Sequence, residues 1–398
     1  MDITIYPQKL RGVIQAIPSK SQAHRLLICA AFADQNTTIF CPQTNQDIEA
    51  TADCLRALGA NILRADDCYT ITPIRAIPKE ATLNCQESGS TLRFLLPIVG
   101  ALGVDATFQM RGRLPQRPLS PLWEEMERMG CILSRPAEST IRCTGRLQAG
   151  CYTIRGDVSS QFITGLLFAL SLIPGKSQLT VTGRLESKPY VDMTLQAMDA
   201  FCVHISNLQI DGPACYRSPG SITVEGDWSN AAFFLAAQEL GNILHVEGLN
   251  PASAQGDRAV KEILHSMTQP ITVDASDIPD LVPILTVSAA GKYGATFTGI
   301  RRLRLKESDR VTSVISMLCA LGITADATED TLTVHPGQFH GGMVDSANDH
   351  RIAMAAAIAA TVSSAPVTIL GAHCVAKSYP AFWQEYGRLG GNYEQYIR

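Results

Sequence analysis

A pattern that recurs six times along the chain places the strongest constraint on its fold. In each copy a short polar cluster precedes an apolar helix rich in Ala, Leu and Ile, and a second predicted helix follows. Short β-rich runs separate these helices. Most copies are about 70 residues apart, and their polar clusters begin at Ser19, Gly89, Ser159, Asp227, Asp277 and Asn348. The sequence therefore predicts a βαβαββ unit that is used six times.

The two predicted helices of each unit differ in their apolar surface. The first is apolar on nearly every side and the second is amphipathic, which favours closed domains with buried helices wrapped by sheets over an open solenoid. Several second helices are predicted to stop at glycine, as at Gly59, Gly130 and Gly322. An ordinary doubly wound α/β protein is the alternative, but no GxGxxG or GxxxxGK[ST] loop follows a predicted strand.

Composition argues against several functional classes. The net charge is −4 and no long basic or acidic block is present, so nucleic-acid and membrane-surface partners have no support. The apolar runs are too short to span a membrane, and the first residues lack the apolar core of a signal peptide. The cysteines and histidines show no metal-ligand spacing. We therefore expect no metal, no disulfide framework and a reduced, cytoplasmic chain.

The starts of the buried helices carry groups that bind anions. A helix N-terminus offers free N–H donors and a partial positive charge, and Ser, Asp or Asn caps it. Cations accompany these caps, namely Lys20 and Arg25, Arg93, and Arg351. One such start is usually only a cap, whereas six with matching cations indicate a ligand with several negative charges.

Other charged motifs fit the same kind of ligand. Lys306 and Arg310 are spaced i,i+4, so both can face one side where a helix starts, although a solvated salt-bridged helix start is the alternative. Arg117 follows a predicted strand and could direct its guanidinium at a carboxylate or phosphate. Lys377 lies just before the last predicted helix. Each of these motifs alone is weak evidence.

Together, the motifs resemble those of one family. The ordered set SKSQAHR, ESGSTLR, QRP, GDVSSQF, ESKPYVD, EGDWSNAAFF, DIPDL, LKESDR, NDHR and AKSYP resembles EPSP synthases (3-phosphoshikimate 1-carboxyvinyltransferases) over essentially the whole chain. The resemblance implies an α/β fold of two similar domains, each with three βαβαββ units whose buried helices are wrapped by sheets (an inside-out barrel). One domain would comprise residues 15–223, and the other residues 1–14 with 224–398. The resemblance also implies a substrate cleft between these domains.

The resemblance implies a reaction of the shikimate pathway. Such enzymes add the 5-hydroxyl of shikimate 3-phosphate to C2 of phosphoenolpyruvate and then eliminate phosphate, without a cofactor or metal. General acid–base groups and electrostatic clamps suffice for this chemistry. By similarity Asp280 is the expected base, a role that could coexist with capping a helix. Glu307 is expected to transfer the proton at the methylene carbon, with Lys306 or Lys20 as alternative donors. A monomer is expected.

The resemblance also assigns two sets of binding residues. Shikimate 3-phosphate is expected to contact Lys20, Ser21, Arg25, Ser159, Ser160, Gln161, Ser187, Asp280 and Lys306. Phosphoenolpyruvate is expected to contact Lys20, Gly89, Arg117, Gln161, Arg310, Arg351 and Lys377. Tyr190 would pack on the ring, and Arg93 and Asp47 would support the site from behind.

Three residues depart from the family pattern, and two other functions are alternatives to the one that it implies. Glu87 and Ser90 stand where Asn and Thr are common, and Arg302 stands where a smaller polar residue is frequent. A UDP-N-acetylglucosamine enolpyruvyl transferase is disfavoured because the start of the chain lacks its lysine–asparagine pair and the loop at 111–117 has no Cys. A non-catalytic anion-binding protein is disfavoured because paired acids accompany the cations.

Overall fold

The computed structural model describes residues 1–396. Its helices are α1 (Lys20–Ala31), α2 (Gln46–Ala57), α3 (Gly89–Leu102), α4 (Leu122–Arg128), α5 (Ser160–Leu170), α6 (Lys188–Asp199), α7 (Trp228–Glu239), α8 (Val260–Ser266), α9 (Val282–Ala290), α10 (Arg310–Ala320), α11 (His350–Ala360) and α12 (Phe382–Arg388). Both predicted helices of every repeat are thus present.

The strands are short and alternate with these helices. They are β1 (Asp2–Tyr6), β2 (Arg11–Gln15), β3 (Thr37–Phe40), β4 (Asn61–Ala65), β5 (Cys68–Thr72), β6 (Glu80–Asn84), β7 (Asp105–Gln109), β8 (Cys131–Ala137), β9 (Thr140–Gly145), β10 (Cys151–Arg155), β11 (Gly175–Thr182), β12 (Gln209–Gly212), β13 (Ser221–Thr223), β14 (Ile243–Glu247), β15 (Ile271–Asp274), β16 (Ala295–Thr298), β17 (Ala325–Ala327), β18 (Thr331–Val334), β19 (Gly342–Asp345), β20 (Val367–Leu370) and β21 (Asn392–Tyr396).

The chain forms two compact units, which we call the N-terminal and the C-terminal unit. The N-terminal unit is Pro18–Val224. The C-terminal unit combines Met1–Ile17 with the chain from Glu225 onward. Three small sheets surround a hydrophobic core in each unit.

The second and fifth repeats are complete βαβαββ units in chain order. The second forms a sheet of order β6-β7-β9-β8, in which β6 and β7 are parallel and β9 is antiparallel to both of its neighbours. The fifth repeats this order as β15-β16-β18-β17 with the same directions. In both sheets the first helix of the repeat connects the parallel pair, as a βαβ crossover requires.

The other repeats use strands from distant segments or have fewer strands. In the first repeat, β13 supplies the strand parallel to β3. In the sixth, β1 pairs antiparallel with both β20 and β21. Within residues 1–396, the third repeat forms the three-stranded sheet β10-β11-β12 and the fourth has only the parallel pair β2 and β14.

The first helix of each repeat lies in the core. Every residue of α9 and α11 is buried, which explains why their sequences are apolar on all sides. The backbones of α3 and α5 are in close contact. A Cβ at Gly165 of α5 would lie only 2.2 Å from the carbonyl oxygen of Arg93 in α3. The second helices end at glycines with positive φ at Gly59, Gly130 and Gly322, which confirms the predicted stops.

The described residues contain neither a membrane-spanning helix nor a metal-binding cluster. Between residues 1 and 396, no helix has both the length and the apolar character needed to cross a membrane. In the same range, no group of three or more His, Cys, Asp or Glu side chains has a geometry that could hold a metal ion. All twelve cysteines are free thiols.

Candidate active site

Five of the six buried helices begin with a side-chain cap, as predicted. The capping side chains belong to Ser19, Ser88, Ser159, Asp227 and Asp349. The sixth helix, α9, begins at Val282 behind Leu281 and has no side-chain cap. The expected capping role of Asp280 is therefore wrong. Its carboxylate binds cations instead, and Pro283 in the first turn of α9 lacks an N–H that needs an acceptor.

The N-terminal unit carries a first group of site residues, which we call the N-terminal cluster. It begins with Lys20, the first residue of α1. Its Nζ lies 2.8 Å from Oδ2 of Asp47 in the first turn of α2. The two side chains remain 16% and 15% exposed. An accessible ammonium beside a helix N-terminus can bind an anion as a point charge.

The guanidinium of Arg25 is buried among neutral oxygens. It donates from Nε to Oγ1 of Thr194 at 2.9 Å, from Nη1 to the carbonyl of Ser21 at 2.6 Å, and from Nη2 to the carbonyl of Tyr190 at 2.8 Å. Burial lowers the pKa of Arg25 to about 10. No carboxylate of the described chain lies within ion-pair distance of it. A bound anion would supply the missing counter-charge.

Gln161 connects the start of α5 to the start of α3. Its Oε1 accepts a hydrogen bond from Nη1 of Arg93 and its Nε2 donates to Oγ of Ser90, both at 3.0 Å. The serine hydroxyl at this position therefore has a partner. A Cβ at Gly89 would lie 2.7 Å from Nη1 of both Arg93 and Arg117. Two guanidinium groups thus approach the backbone where α3 begins, and glycine leaves room for them.

Arg117 and Glu87 lie on the segments beside this glycine. Arg117 follows the 3-10 turn Leu114–Gln116, so it does not follow the strand directly as predicted. A Cβ at Gly112 would lie 2.5 Å from Oε2 of Glu87. The extra carboxylate of Glu87 therefore packs on the backbone of the loop that precedes Arg117.

The serines expected to bind phosphate lie at two helix starts. The hydroxyl of Ser159 accepts the backbone N–H of Gln161 at 3.3 Å, and Ser160 is the first residue of α5. Ser187 precedes α6 with φ 55° and ψ 39°, a left-handed conformation that costs a non-glycine residue roughly 1 kcal/mol or more. Its side chain makes no capping hydrogen bond. Strain at a helix start is typical of a ligand-binding position.

The C-terminal unit carries a second group, the C-terminal cluster, centred on Asp280. Its Oδ1 lies 2.6 Å from Nη1 of Arg310, and its Oδ2 lies 2.8 Å from Nη2 of Arg351. Nζ of Lys306 is 4.0 Å from Oδ1. Burial alone would raise the pKa of Asp280, but Arg351, Lys306 and Arg310 outweigh it and hold that pKa well below its usual range. The side chain is therefore a carboxylate at neutral pH, and it is 21% exposed.

Arg310 binds three carboxylates. Its Nε lies 2.8 Å from Oδ2 of Asp349, and its Nη2 lies 2.6 Å from Oε2 of Glu307. Asp280 is the third partner, as described above. Arg310 and Asp349 are 1% and 0% exposed, whereas Glu307 is 24% exposed. One buried guanidinium thus fixes two acids that can be reached from outside.

Lys306 lies near Asp280 because of a backbone conformation that the sequence did not predict. The helix α10 begins only at Arg310, and Lys306 is in extended backbone after the 3-10 segment Arg301–Leu305. The predicted i,i+4 helical face is therefore wrong, and the two cations meet because the segment folds back onto Asp280. Burial lowers the pKa of Lys306 to about 8; Asp280 opposes this shift, whereas Arg310 and Arg302 reinforce it.

The remaining predicted cations of this unit are also buried. Arg351, the second residue of α11, is 3% exposed and donates from Nη1 to the carbonyl of Asp280 at 3.2 Å. Lys377 is 7% exposed and ends the 3-10 segment Ala372–Lys377. Its Nζ donates to the carbonyl of Asn348 at 2.8 Å. The structure therefore orients both cations through acceptors next to α9 and α11.

Two buried aspartates were not predicted as site residues. Asp349 caps α11 through Oδ1, which accepts the N–H of Arg351 at 3.0 Å, while Oδ2 accepts from Arg310. Its position two residues before Arg351 in the NDHR motif was a usable signal. Asp257 lies in the 3-10 segment Gly256–Ala259. Burial and the neighbouring carboxylate of Asp280 raise the pKa of Asp257 well above its usual range, against the effect of Arg351. Its sequence context, QGDR, resembles an ordinary turn.

Solved structures share this architecture. The EPSP synthase of Acinetobacter baumannii matches with a TM-score of 0.81 over 99% of both chains, at 24% sequence identity. The enolpyruvyl transferase NikO from Streptomyces tendae matches with a TM-score of 0.74 over 99% of this chain and 98% of that one, at 18% identity. The fold is that of the enolpyruvyl transferases, and the predicted fold class is confirmed.

Sequence comparison narrows this class to one family. The model of the family EPSP synthase (3-phosphoshikimate 1-carboxyvinyltransferase) matches residues 5–386. A 3-phosphoshikimate 1-carboxyvinyltransferase of Clostridium kluyveri is 37% identical over 420 residues, covering 99% of this chain and 98% of the relative. One from Clostridium botulinum is 39% identical over 425 residues, covering 98% of each. The chain belongs to the EPSP synthase family, which confirms the predicted family and enzyme class.

Proposed function

We propose that the chain transfers the enolpyruvyl group of phosphoenolpyruvate to the 5-hydroxyl of shikimate 3-phosphate and releases phosphate. The observation that supports this best is the carboxylate of Asp280, held between Arg310 and Arg351 with Lys306 nearby. A partly exposed acid surrounded by three cations suits a reaction that moves protons next to anionic groups.

The N-terminal cluster would bind mainly shikimate 3-phosphate. Serine hydroxyls and helix N-termini suit its phosphate, so we assign this group to Ser159, Ser160 and Ser187. We assign its carboxylate and ring hydroxyls to Arg25, Lys20, Ser21, Gln161, Asp280 and Lys306, and Tyr190 would pack on its ring. The buried guanidinium of Arg25, which lacks an acidic partner, supports this assignment.

We assign the carboxylate and phosphate of phosphoenolpyruvate to the residues that the family resemblance implies, namely Lys20, Gly89, Arg117, Gln161, Arg310, Arg351 and Lys377. Arginine forks suit these planar and tetrahedral anions, and lysines act as point charges. Arg93 and Asp47 would position Gln161 and Lys20 through the contacts described above.

The contacts of Asp280 suggest how substrate binding would prepare the base. Without substrate, its carboxylate has a low pKa because Arg351, Lys306 and Arg310 surround it. Anionic groups of the substrates would compete for these cations and partly neutralise them. The pKa of Asp280 would then rise, so the carboxylate becomes a stronger base when the hydroxyl is present. In the addition step it would take the proton of the 5-hydroxyl.

A second group must deliver a proton to the methylene carbon and later remove one from the methyl group. We propose Glu307 for this transfer because it is 24% exposed and oriented by Arg310. Lys306, whose pKa is lowered to about 8, and Lys20 are the alternative donors. Lys306 can exchange a proton near neutral pH at smaller cost than an ordinary lysine. We also propose that the protein acts as a cytoplasmic monomer on these small molecules, without cofactor or metal.

Phosphate release from phosphoenolpyruvate tests this function. The wild type should release phosphate only when shikimate 3-phosphate is present, and UDP-N-acetylglucosamine should not replace it. Release that depends on UDP-N-acetylglucosamine would favour the other enolpyruvyl transfer. Binding of both substrates without any release would favour a non-catalytic anion-binding protein.

A further inference from the structure

The exposed cysteines of the chain are concentrated in one place. Of the twelve thiols, seven are buried and one is half-buried, which leaves Cys151, Cys202, Cys215 and Cys319 exposed. The first three line a single cavity of about 990 Å³ on the third repeat of the N-terminal unit. None of the residues lining this cavity belongs to the N-terminal or the C-terminal cluster. The cavity is thus separate from the candidate active site.

Two of the buried thiols are held protonated, whereas the thiols in the cavity are exposed to solvent. Burial raises the pKa of both Cys41 and Cys374 to about 12, so these remain protonated thiols. Thiolates, which perform thiol–disulfide exchange, form most readily at exposed cysteines near positive charge. The exposed thiols of the N-terminal unit, which a reagent can reach, therefore all line this cavity.

Cys215 has an arginine two residues away that forms no ion pair within the described chain, whereas Arg128, which donates to the carbonyl of Cys151, is paired with Glu125. Tyr216 forms a bridge to Ala33 and is buried, whereas Cys215 and Arg217 on either side of it are exposed. Residues i and i+2 of an extended segment face the same side, so the thiol and the guanidinium point into the cavity together. The backbone N–H of Arg217 is fixed to the carbonyl of Phe201 at 2.8 Å.

The charges of the cavity favour an anion at this point. Its lining contains Lys176, Asp211 and Arg217. Lys176 and Asp211 are directly opposite each other on β11 and β12, so their charges largely offset. His204, which also lines the cavity, pairs with Asp199. Arg217 forms no ion pair with any residue of the described chain, and its fork can bind a carboxylate.

We propose that Cys215 is a thiolation site for small disulfides that carry carboxylate groups. The Cys215 thiolate attacks one sulfur of the reagent, a new protein–reagent S–S bond forms, and the S–S bond of the reagent breaks. The second half leaves as a thiolate and takes up a proton, so the step needs no other oxidant. Arg217 binds a carboxylate of the reagent and holds its disulfide near Cys215. An excess of free thiol reverses the reaction.

Oxidised glutathione, a tripeptide disulfide with several carboxylates, is the probe for this proposal. The intact protein is exposed to it at neutral pH, and peptide mass spectrometry then measures the adduct on each cysteine over time. Cys215 should be modified first, ahead of Cys319, which is exposed but outside the cavity. The Cys151→Ser/Cys202→Ser variant should give the same result. It also prevents a neighbouring thiol from displacing the adduct.

The contribution of Arg217 is measured with a matched pair of variants and a second reagent. Arg217→Gln should slow modification by oxidised glutathione by roughly two- to five-fold, as expected for one partly solvated charge pair. It should not slow modification by cystamine, a disulfide that carries ammonium groups. Arg135→Gln, which removes an exposed arginine on β8 in the second repeat, should leave both rates unchanged. Earlier modification of Cys319, Cys151 or Cys202, or equal rates in Arg217→Gln and Arg135→Gln, would overturn the proposal.

Discussion

Replacing Arg310 with methionine should destabilise the C-terminal unit strongly. Methionine retains much of the buried volume but removes the charge that binds Asp280, Glu307 and Asp349. Asp280 would retain Arg351 and Lys306 as partners, and Glu307 is exposed enough to be hydrated. The cost therefore falls mainly on Asp349, which is 0% exposed and would lose its ion pair.

The expected size of this effect follows from burial. Removing one partner of a buried ion pair typically costs about 3–5 kcal/mol because the other charge is left without compensation. Arg388 provides a control in the same unit, since it also pairs at i,i+3 with a carboxylate but is 52% exposed. Arg388→Met should cost at most about 1 kcal/mol.

Urea unfolding, followed by tryptophan fluorescence, measures both variants. Trp228 and Trp383 belong to the C-terminal unit and report on its unfolding. Combining Arg310→Met with Asp349→Asn should recover much of the lost stability, because the amide removes the unpaired charge and retains an oxygen for capping α11. A loss below about 1 kcal/mol in Arg310→Met, or no recovery in the double variant, would refute the reasoning.

Two further predictions concern pH. Affinity for shikimate 3-phosphate should weaken as the pH rises through about 8, because Lys306 then loses its ammonium charge. Calorimetry should show that the affinity of Lys306→Met for shikimate 3-phosphate depends less on pH than that of the wild type. The exposed-site control Lys188→Met should keep the wild-type pH dependence. An equally steep pH dependence in all three proteins would contradict this role of Lys306. The second prediction concerns Asp257, whose pKa is raised in the folded protein. Above about pH 4 the folded protein holds a proton on Asp257 that the unfolded chain has lost, so the contribution of Asp257 to stability falls as the pH rises. Asp257→Asn should therefore exceed the wild type in unfolding free energy by at least about 1 kcal/mol at mildly alkaline pH, and this gain should shrink towards acidic pH. The control Asp326→Asn should show no such trend. An Asp257→Asn variant less stable than the wild type would count against a raised pKa of Asp257.

Local sequence patterns predicted the helices and most of their caps well. Polar residues before apolar runs marked the starts at Ser19 and Ser159, and the cluster predicted from Gly89 begins one residue after the cap Ser88, because capping depends on a few neighbouring residues. The same pattern failed at Asp280, since its carboxylate is bound by arginines far away in sequence. Long-range ion pairs leave no periodic signal, so the capping role could not be excluded in advance.

Strand pairing and buried acids show where sequence information was insufficient. The pairing of β1 with β20 joins segments from opposite parts of the chain, and no local propensity specifies it. Asp257 resembles a residue of an exposed turn, and only its burial near Asp280 makes it notable. The convergence of Lys306 and Arg310 was anticipated for the wrong reason, because the chain before α10 folds back and is not helical.

The central claim is that the carboxylate of Asp280 acts as the base in enolpyruvyl transfer. The most direct test compares phosphate release, with both substrates saturating, by the wild type, Asp280→Asn and the exposed-site control Asp326→Asn. Thermal melts and binding of shikimate 3-phosphate verify that each variant is folded. The account predicts that Asp280→Asn loses about 10²- to 10⁴-fold in kcat while Asp326→Asn retains wild-type activity. A folded Asp280→Asn variant with kcat within about ten-fold of the wild type would contradict the account.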